Sequence, residues 1–435
     1  MLHKKLKELN RIPFHMPGHK RNEKFNIAAS EIDITETEGF DNLHNPSGLI
    51  SDIEKGFAEI YGAEKSFLLV NGSTVGILAA IHAVCNRGDT IIIARNCHKS
   101  VYNACLLLKL NVVYIEPEFD RVNGFYKRVN QQAVDGAVKA NPKAAAIVIT
   151  SPTYEGYISR ITAEIPLIID AAHGAHLGLG GFPEYPKGDI VISSLHKTLP
   201  ALTQTAIANI YNPKYTEKFR RYIDIFETSS PSYVLMNSAS VCCEYVRNNS
   251  EDFADYRKAV EKLHGAELKK LIILDTDDAG KIVVSTANTQ ISGIELAQAL
   301  RNKYNIEPEA ASINYVILMT SVADTMENLE LLQKALIEID ADCEDAAEGA
   351  FFEKPPCPDC TKAINYNDKR EKTLLKECAG KRANEFVYAY PPDIPILVPN
   401  EVITREAADY IQKALESGVN MISDSNLLPN YILTK

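Results

Sequence analysis

The sequence lacks the apolar segments that a membrane protein or a secreted precursor carries. No stretch approaches the roughly 18 consecutive uncharged apolar residues that begin to span a bilayer. The N-terminal stretch MLHKKLKELNRIPFHMPGHK carries charges but has no apolar core of signal-peptide length. We therefore predict a cytoplasmic protein without a membrane partner.

The cysteines lack the even count and spacing of a disulfide framework, since there are nine of them, scattered along the chain. An odd count in a long chain without a secretion signal is typical of reduced thiols. Cys357 and Cys360 form a C-x-x-C pair, which is half of a zinc site or a redox pair. No second C-x-x-C follows, although Cys343 and Cys378 flank the pair. We predict plain thiols and no metal ligands, with a structural zinc site as the alternative.

An excess of positive charge is also absent. The chain has 46 Lys and Arg residues against 57 Asp and Glu residues, so its net charge is −11. Nucleic acids and anionic membranes attract cationic surfaces, and neither is therefore predicted as a partner. A small cationic substrate is compatible with this charge.

Internal repeats and low-complexity tracts are missing as well. The 435 residues, with 46% hydrophobic and 24% charged side chains, have ordinary globular composition and allow two or three domains. We predict an irregular arm over 1–50, a large domain over 51–265 and a small domain over 266–435. The small domain includes a polar, Cys-containing insert at 341–385.

Seven short apolar runs alternate with helical patterns in the first half of the chain. Because these runs show little polar alternation, they suit strands that are covered on both faces. The alternation predicts an α/β domain with a parallel or mixed sheet between helices, followed by a smaller α+β domain. The runs lie at 66–70, 90–94, 112–115, 144–150, 166–170, 189–194 and 205–211.

Polar residues follow several of these runs, where ligands bind to open parallel sheets. Gly72, Ser73 and Thr74 precede a predicted helix, and their amides and hydroxyls are suited to a phosphate. The alternative is an ordinary helix cap. His98 follows the second run and is either a loop residue or an imidazole that stacks on a planar cofactor.

Asp170 closes an apolar run, so its carboxylate is expected to be buried and to need a cationic partner. A protonated pyridine nitrogen is one such partner. The alternatives are a turn cap, or a metal site shared with His173 and His176.

Lys197 follows the run at 189–194 in the segment SSLHKT. A partly buried lysine beside another cation has a lowered pKa, which permits a Schiff base. Ser194 and His196 add phosphate ligands beside it, while a surface lysine is the alternative. Together, a phosphate loop, a stacking imidazole, a carboxylate for the ring nitrogen and an amine match what pyridoxal 5′-phosphate requires.

Longer motifs run along nearly the whole chain. They are FHMPGHK (14–20), DITETEGFDNLHNPSGLI (33–50), NGST, RNCHKS, SPTYEG (151–156), DAAHGAH (170–176), SSLHKTLPALTQTA (193–206), SSPSY (229–233) and YPPDIPILVPNE (390–401). In these motifs the sequence resembles the Orn/Lys/Arg decarboxylase family in its short form. These are pyridoxal-phosphate enzymes with the aspartate-aminotransferase fold (fold type I), which implies a mostly parallel seven-stranded sheet and a smaller C-terminal domain.

The resemblance implies a role for each site residue. Lys197 would hold the cofactor covalently, Asp170 would pair with the pyridine nitrogen, and His98 would stack on the ring near His173. The phosphate ligands would be Gly72, Ser73, Thr74, Ser194 and His196, and the loop flanking the ring would carry Thr153 and Tyr154. Thr228 would reach the phosphate of a neighbouring subunit, so a homodimer or a dimer of dimers is expected. Assemblies that depend on the extra N-terminal domain of the long enzymes are not expected.

The implied activity is α-decarboxylation of arginine, lysine or ornithine to agmatine or a diamine, in polyamine metabolism. Glu401 is a candidate partner for the distal cation of the substrate, or else a helix cap. Asp393 and Asn400 stand where the family usually has Gly, and Ile77 stands where Asn is common. These departures concern substrate choice. The alternatives are an aminotransferase, another lyase of the same fold, or a non-catalytic regulatory relative.

Overall fold

The computed structural model describes residues 2–8, 16–17, 19–21, 23–346, 352, 354, 363–389 and 393–435. The chain forms two compact units. The first unit contains Met1–Ala83 and Ile169–Ala254, and the second contains Val84–Ile168 and Asp255–Lys435. The predicted domain boundaries after residues 50 and 265 stay a prediction.

The helices are α1 (Leu2–Lys7), α2 (Leu49–Tyr61), α3 (Gly72–Val84), α4 (Lys99–Leu108), α5 (Gln131–Ala140), α6 (Leu195–Thr198), α7 (Thr216–Phe226), α8 (Tyr233–Asn248), α9 (Ser250–His264), α10 (Gly293–Tyr304), α11 (Met326–Asp342) and α12 (Arg405–Glu416). Short 3₁₀ turns occupy Glu23–Phe25, Pro213–Tyr215 and Leu375–Glu377. The strands are β1 (Lys65–Leu69), β2 (Thr90–Ala94), β3 (Asn111–Ile115), β4 (Phe119–Asp120), β5 (Phe125–Tyr126), β6 (Ala146–Thr150), β7 (Leu167–Asp170), β8 (Ile190–Ser194), β9 (Ala206–Ile210), β10 (Ile272–Ile273), β11 (Lys281–Ser285), β12 (Ala310–Ala311), β13 (Tyr315–Met319), β14 (Glu371–Leu374), β15 (Val387–Ala389), β16 (Ile394–Leu397), β17 (Met421–Ser423) and β18 (Tyr431–Thr434).

The seven predicted apolar runs form one sheet, with the strand order β1-β9-β8-β7-β6-β2-β3. Strand β2 pairs in parallel with β3 and β6. Strand β9 is antiparallel to both β1 and β8. The sheet is mostly parallel, which confirms the predicted α/β fold class.

In the first unit, α3 packs closely on the sheet because it carries a glycine at residue 76. A Cβ atom at Gly76 would lie 2.8 Å from both Ile192 Cγ2 and Leu69 Cδ1. The absent side chain therefore lets the helix approach β1 and β8, and this approach sets the position of its N-terminus.

The N-terminal arm contains a helix that the sequence analysis did not predict. In α1, Leu2 and Leu6 are both buried, and the helix packs on α8. Residues four apart share a helix face, so these two leucines bury one side of a single short helix. The prolines and glycines of residues 1–50, which break a helical pattern, all lie after this helix.

The second unit adds small antiparallel sheets after residue 270. One has the order β10-β11-β13-β12 and another has the order β16-β15-β17. Strand β14 lies inside the predicted irregular insert 341–385 and pairs with β18, so Thr373 is opposite Ile432. A strand in a polar segment forms here because a distant strand supplies its hydrogen bonds. Within the described residues, no helix combines the length and the apolar character that crossing a bilayer requires.

Candidate active site

Lys197 lies in the short helix α6, directly after β8. All five residues of β8 are buried, and Ser194, the last of them, has an extended backbone and precedes α6. Lys197 is half-buried. A fully buried strand that ends in a one-turn helix thus fixes the start of the lysine side chain in the first unit.

Lys197 contacts His173, which follows β7. The lysine Nζ lies 2.9 Å from His173 Nε2, and His173 is only 7% exposed. A hydrogen bond between an amine and an imidazole needs one donor and one lone pair. One of these two nitrogens must therefore be unprotonated, so the pair is suited to passing a proton between them.

Asp170 ends β7 as a buried carboxylate, 3% exposed. Its Oδ1 accepts a hydrogen bond of 3.1 Å from the Ala172 amide. This bond orients the carboxylate on the loop that carries His173. The prediction of a buried acidic group at this strand end is confirmed, while its pairing with a ring nitrogen stays a prediction.

The predicted phosphate ligands of the first unit lie close together. Helix α3 begins at Gly72, whose φ is +77° and whose amide donates to the Gln204 carbonyl at 2.8 Å. Ser194 Oγ donates to Ser73 Oγ at 3.1 Å, which joins the end of β8 to the start of α3. Thr74 is exposed, and a Cβ atom at Gly72 would meet open space. Hydroxyls and backbone amides at a helix start are suited to an anion.

His196 is held by a backbone carbonyl. Its Nδ1 donates to the Thr205 carbonyl at 2.8 Å. Burial lowers the pKa of His196, and the charge of Lys197 lowers it further, against the opposing effect of the Thr205 hydrogen bond. In the neutral imidazole, Nε2 therefore carries a lone pair and acts as an acceptor.

Thr228 lies beside the predicted phosphate loop of its own chain. Its amide donates to Asn71 Oδ1 at 3.0 Å. The Thr228 carbonyl accepts a 2.8 Å hydrogen bond from His44 Nε2. The predicted contact of Thr228 with a neighbouring subunit stays a prediction.

In the second unit, His98 caps the N-terminus of α4. Its Nδ1 accepts from the Ser100 amide at 3.1 Å and lies 2.8 Å from Ser100 Oγ. The other ring nitrogen, Nε2, lies 3.7 Å from Asp393 Oδ2. The ring is thus fixed at Nδ1, and in the neutral imidazole Nε2 carries the proton. Stacking on a cofactor ring stays a prediction.

Thr153 and Tyr154 are buried on the loop after β6. The Thr153 hydroxyl accepts from the Tyr157 amide at 3.2 Å. The Tyr154 hydroxyl donates to Glu309 Oε1 at 2.7 Å. Both hydroxyls therefore stabilise the loop, and their predicted place beside a cofactor stays a prediction.

Glu401 is buried and paired with an arginine of the same unit. Its Oε2 lies 3.3 Å from Arg95 NH2, and its Oε1 accepts a 2.6 Å hydrogen bond from the Tyr114 hydroxyl. Burial raises the pKa of Glu401, while the Arg95 charge opposes the rise. Both carboxylate oxygens are thus engaged within the protein, and the predicted substrate role of Glu401 stays a prediction.

Asp393 and Asn400 both adopt the left-handed backbone conformation, with φ of +63° and +78°. Asp and Asn tolerate this region better than most residues, so two turns that suit glycine are retained here. Ile77 is 1% exposed in α3. An apolar side chain at this position is therefore a core residue.

Comparison with known proteins assigns the family. Residues 2–291 match the family described as Orn/Lys/Arg decarboxylase, major domain. The chain belongs to the Orn/Lys/Arg decarboxylase family. It is therefore an amino-acid carboxy-lyase, and both expectations from the sequence are confirmed.

Individual relatives of this decarboxylase extend over nearly its whole length. The uncharacterized protein YaaO of Bacillus subtilis is 32% identical, covering 97% of this chain and 94% of its own. An arginine decarboxylase of Halalkalibacterium halodurans is 28% identical, covering 94% and 91%. The crystal structure of the Francisella novicida lysine decarboxylase LdcF has a TM-score of 0.79 at 15% identity, covering 100% of this chain and 80% of its own. The structural likeness shows the fold.

The family implies pyridoxal phosphate, and the residues of the first unit fit this group. They provide an amine on Lys197, a buried carboxylate on Asp170 and neighbouring hydroxyls on Ser73 and Ser194. A phosphate, an aldehyde and a basic ring nitrogen each have a chemical partner in this set.

The sequence also offered two metal sites as alternatives, one at Asp170, His173 and His176 and one at the C-x-x-C pair. Among the described residues, no three His, Cys, Asp or Glu side chains are grouped as metal ligands require. Cys357 and Cys360 lie outside the described residues, while Cys343 and Cys378 are free and buried. The zinc alternative for the C-x-x-C pair therefore stays untested.

Sequence reasoning missed several residues that support the candidate site. Asn71 lies in the segment 70–74 that contains the predicted phosphate ligands and binds the Thr228 amide, and Glu227 contacts Val70 of the same segment. Arg95 is the first residue of RNCHKS, but its ion pair with Glu401 was not predicted. Asn71 and Arg95 belong to the motifs NGST and RNCHKS, so their position in the sequence could have indicated a role at the site. Glu227 belongs to no motif that would have indicated one.

Proposed function

We propose that this protein is a pyridoxal-phosphate-dependent α-decarboxylase of a basic amino acid, with arginine as the first candidate. The observation that carries the proposal is the 2.9 Å contact between Lys197 Nζ and His173 Nε2, at the end of a buried strand. Family membership supports decarboxylation, and the arginine decarboxylase of Halalkalibacterium halodurans supports arginine.

The chain's own residues would hold the cofactor at three points. The Lys197 amine would bind its aldehyde carbon, and the Asp170 carboxylate would keep its ring nitrogen protonated. Ser73, Thr74 and Ser194 would donate hydrogen bonds to its phosphate, helped by the amides at the start of α3. His98 would pack against the ring, as the resemblance implies.

The bound cofactor supplies a conjugated ring that accepts the electron pair left when CO₂ departs. Lys197 and His173 would then deliver a proton to the substrate Cα, because their shared hydrogen bond lets one reprotonate the other. The Asp170 carboxylate, 3% exposed, would keep its interaction with the ring nitrogen in a site sheltered from water.

We further propose a homodimer, or a pair of dimers, in which Thr228 completes the phosphate site of the neighbouring subunit. The contact with the neighbouring subunit rests on the resemblance, while the hydrogen bond from the Thr228 amide to Asn71 of its own chain supports only a position near the proposed phosphate loop. A role in polyamine formation follows from the expected product, agmatine or a diamine, and a cytoplasmic location completes the proposal.

Borohydride trapping tests the attachment point. Protein loaded with pyridoxal phosphate is reduced and digested, and the modified peptide is identified by mass spectrometry. We expect the adduct on Lys197, its loss in Lys197→Ala and its retention in the control Lys187→Ala, which changes an exposed lysine. An adduct on another lysine in the wild-type protein would overturn the proposed site.

Product analysis tests the reaction and the substrate. The loaded enzyme is incubated separately with arginine, lysine and ornithine. We expect CO₂ together with agmatine from arginine, and no product from Lys197→Ala. A keto acid in place of CO₂ would establish an aminotransferase, and an adduct without turnover of any of the three would favour a non-catalytic relative.

A further inference from the structure

Glu227 lies under the phosphate loop of the first unit. It follows α7, and its own amide donates to the Ile223 carbonyl at 2.8 Å. Its Oε1 accepts a 2.6 Å hydrogen bond from the Val70 amide. Val70 stands between the end of β1 and the sequence Asn71-Gly72, so the carboxylate anchors the entry to the loop.

The segment 227–228 holds this loop at two consecutive residues. Glu227 binds the Val70 amide through its side chain, and the Thr228 amide donates to Asn71 Oδ1. The loop donates one of these hydrogen bonds, from Val70, and accepts the other, at Asn71. Together they fix the position at which α3 begins. A change at Glu227 therefore acts on the loop directly.

The second carboxylate oxygen of Glu227 is the unusual feature. Glu227 is 6% exposed, and among the described residues its buried Oε2 has no hydrogen-bond partner. A buried carboxylate with an unsatisfied oxygen is costly, and a proton reduces that cost. Burial raises the pKa of Glu227 to about 7, against the lowering effects of the Val70 amide, the His44 charge, the Asn71 amide and the Arg220 charge.

The charges of His44 and Arg220 both act on Glu227. His44 donates to the Thr228 carbonyl at 2.8 Å and to Asp224 at 3.0 Å. Burial disfavours its charged form, but these acceptors raise the pKa of His44 overall. Arg220 lies 3.6 Å from the buried Glu54 and also acts on Glu227.

Glu54 is in turn bound by Lys65, with Lys65 Nζ 2.8 Å from Glu54 Oε2. His44 and Arg220, the cations that act on Glu227, thus have their own carboxylate partners in Asp224 and Glu54. Their charges therefore oppose the protonation of Glu227 only in part. Adding an anion to the loop shifts this balance towards the protonated carboxyl.

We propose that Glu227 is a positioning residue that takes up a proton when a phosphate group binds to the loop 70–74. A phosphate dianion on this loop repels the carboxylate that anchors it, and protonation of Oε2 removes that repulsion while Oε1 keeps the Val70 bond. The inference rests on the proposed function, because it takes the loop as the cofactor phosphate site.

Calorimetric titration of the full-length protein tests the coupling. Pyridoxamine 5′-phosphate is the probe, and pyridoxamine, which lacks the phosphate, is the matched ligand. Neither forms a bond with Lys197. Titrations in two buffers of different ionisation enthalpy give the number of protons taken up.

Near pH 7.5, we expect the wild-type protein to take up a larger fraction of a proton per bound pyridoxamine 5′-phosphate than Glu227→Gln does. With pyridoxamine we expect no difference between the two proteins. If binding raises the pKa of Glu227 by one unit, wild-type affinity falls by about tenfold more than variant affinity between about pH 6 and pH 9. Glu227→Asp, which still titrates, should restore the pH dependence. Glu217→Gln, an exposed change on α7, should match the wild type.

Equal proton uptake by wild type and Glu227→Gln would overturn the inference. The same conclusion would follow if Glu227→Asp behaved like Glu227→Gln while both kept wild-type circular dichroism. If the wild type bound the phosphorylated probe no more tightly than pyridoxamine, the phosphate site itself would be refuted, and with it the proposed function.

Discussion

Replacing Arg95 with Met should strongly destabilise the protein, because Arg95 neutralises a buried acid. Arg95 is 4% exposed and Glu401 is 3% exposed, and their NH2 and Oε2 atoms are 3.3 Å apart. Without Arg95, Glu401 keeps only the Tyr114 hydroxyl among the side chains described above. Breaking a buried ion pair from one side costs about 3–5 kcal/mol, because the remaining charge stays buried.

The loss of stability in Arg95→Met should depend on pH. Burial already raises the pKa of Glu401 above its ordinary 4.5, and Arg95 opposes the rise, so the variant should have a still higher pKa. An acid whose pKa is raised in the folded state loses stability as the pH rises from its unfolded to its folded pKa. Arg95→Met should therefore lie closer to the wild type at about pH 5.5 than at about pH 8.

Urea unfolding followed by far-UV circular dichroism at both pH values provides the measurement. The matched control is the double variant Arg95→Met/Glu401→Leu, which leaves no buried charge and should recover at least half of the loss. An Arg95→Met protein within about 1 kcal/mol of the wild type at the higher pH would refute this reasoning. So would a double variant no more stable than the single one.

The same variants address the predicted substrate role of Glu401. If Glu401→Gln raised KM for arginine by about thirtyfold, or 2 kcal/mol, with little change in unfolding, the carboxylate would be a substrate ligand. If unfolding changed and KM did not, its role would be structural. The engagement of both oxygens leads us to expect the structural result.

Two backbone predictions follow from the glycine and left-handed positions. Gly76→Ala should lower the free energy of unfolding by about 1–3 kcal/mol, because its Cβ would lie 2.8 Å from Ile192 and Leu69 side-chain atoms. In α5, a Cβ atom at Gly136 would have no atom within 4 Å, so Gly136→Ala should raise the free energy of unfolding by about 0.4–1 kcal/mol. Equal changes in the free energy of unfolding for Gly76→Ala and Gly136→Ala would contradict the packing argument. Asn400→Ala should lower the free energy of unfolding by about 1–2 kcal/mol, because φ at this residue is +78°. Asn400→Gly should lower it less. If backbone strain were unimportant, urea unfolding would show the reverse order.

Strand positions were predictable because burial on both faces leaves a local signal. The apolar run at 90–94 coincides with β2, and those at 189–194 and 205–211 contain β8 and β9. The antiparallel direction of β9 was not predictable, because the apolar pattern of a buried strand is the same in either direction. Helix α1 was missed because two leucines are too short a pattern to indicate a helix.

Candidate site residues could be chosen from the sequence where one motif carries the chemistry. Gly72, Ser73 and Thr74, the acid at 170 and the amine at 197 were chosen because ligands collect at strand ends. The supporting contacts were not, since Glu227 and Val70 are 157 residues apart and neither belongs to a recognisable motif. A hydrogen bond between distant residues leaves no trace in the local pattern of either.

The sequence by itself determined the family, the seven strands and the identity of the amine and acid proposed to hold the cofactor, since each rests on local composition or motif order. The tertiary structure decided which side chains meet. It joined Ser73 to Ser194 across 121 residues and Arg95 to Glu401 across 306. The physical reason is that apolar periodicity reflects burial near one point of the chain, whereas ion pairs and hydrogen bonds depend on the path of the whole backbone.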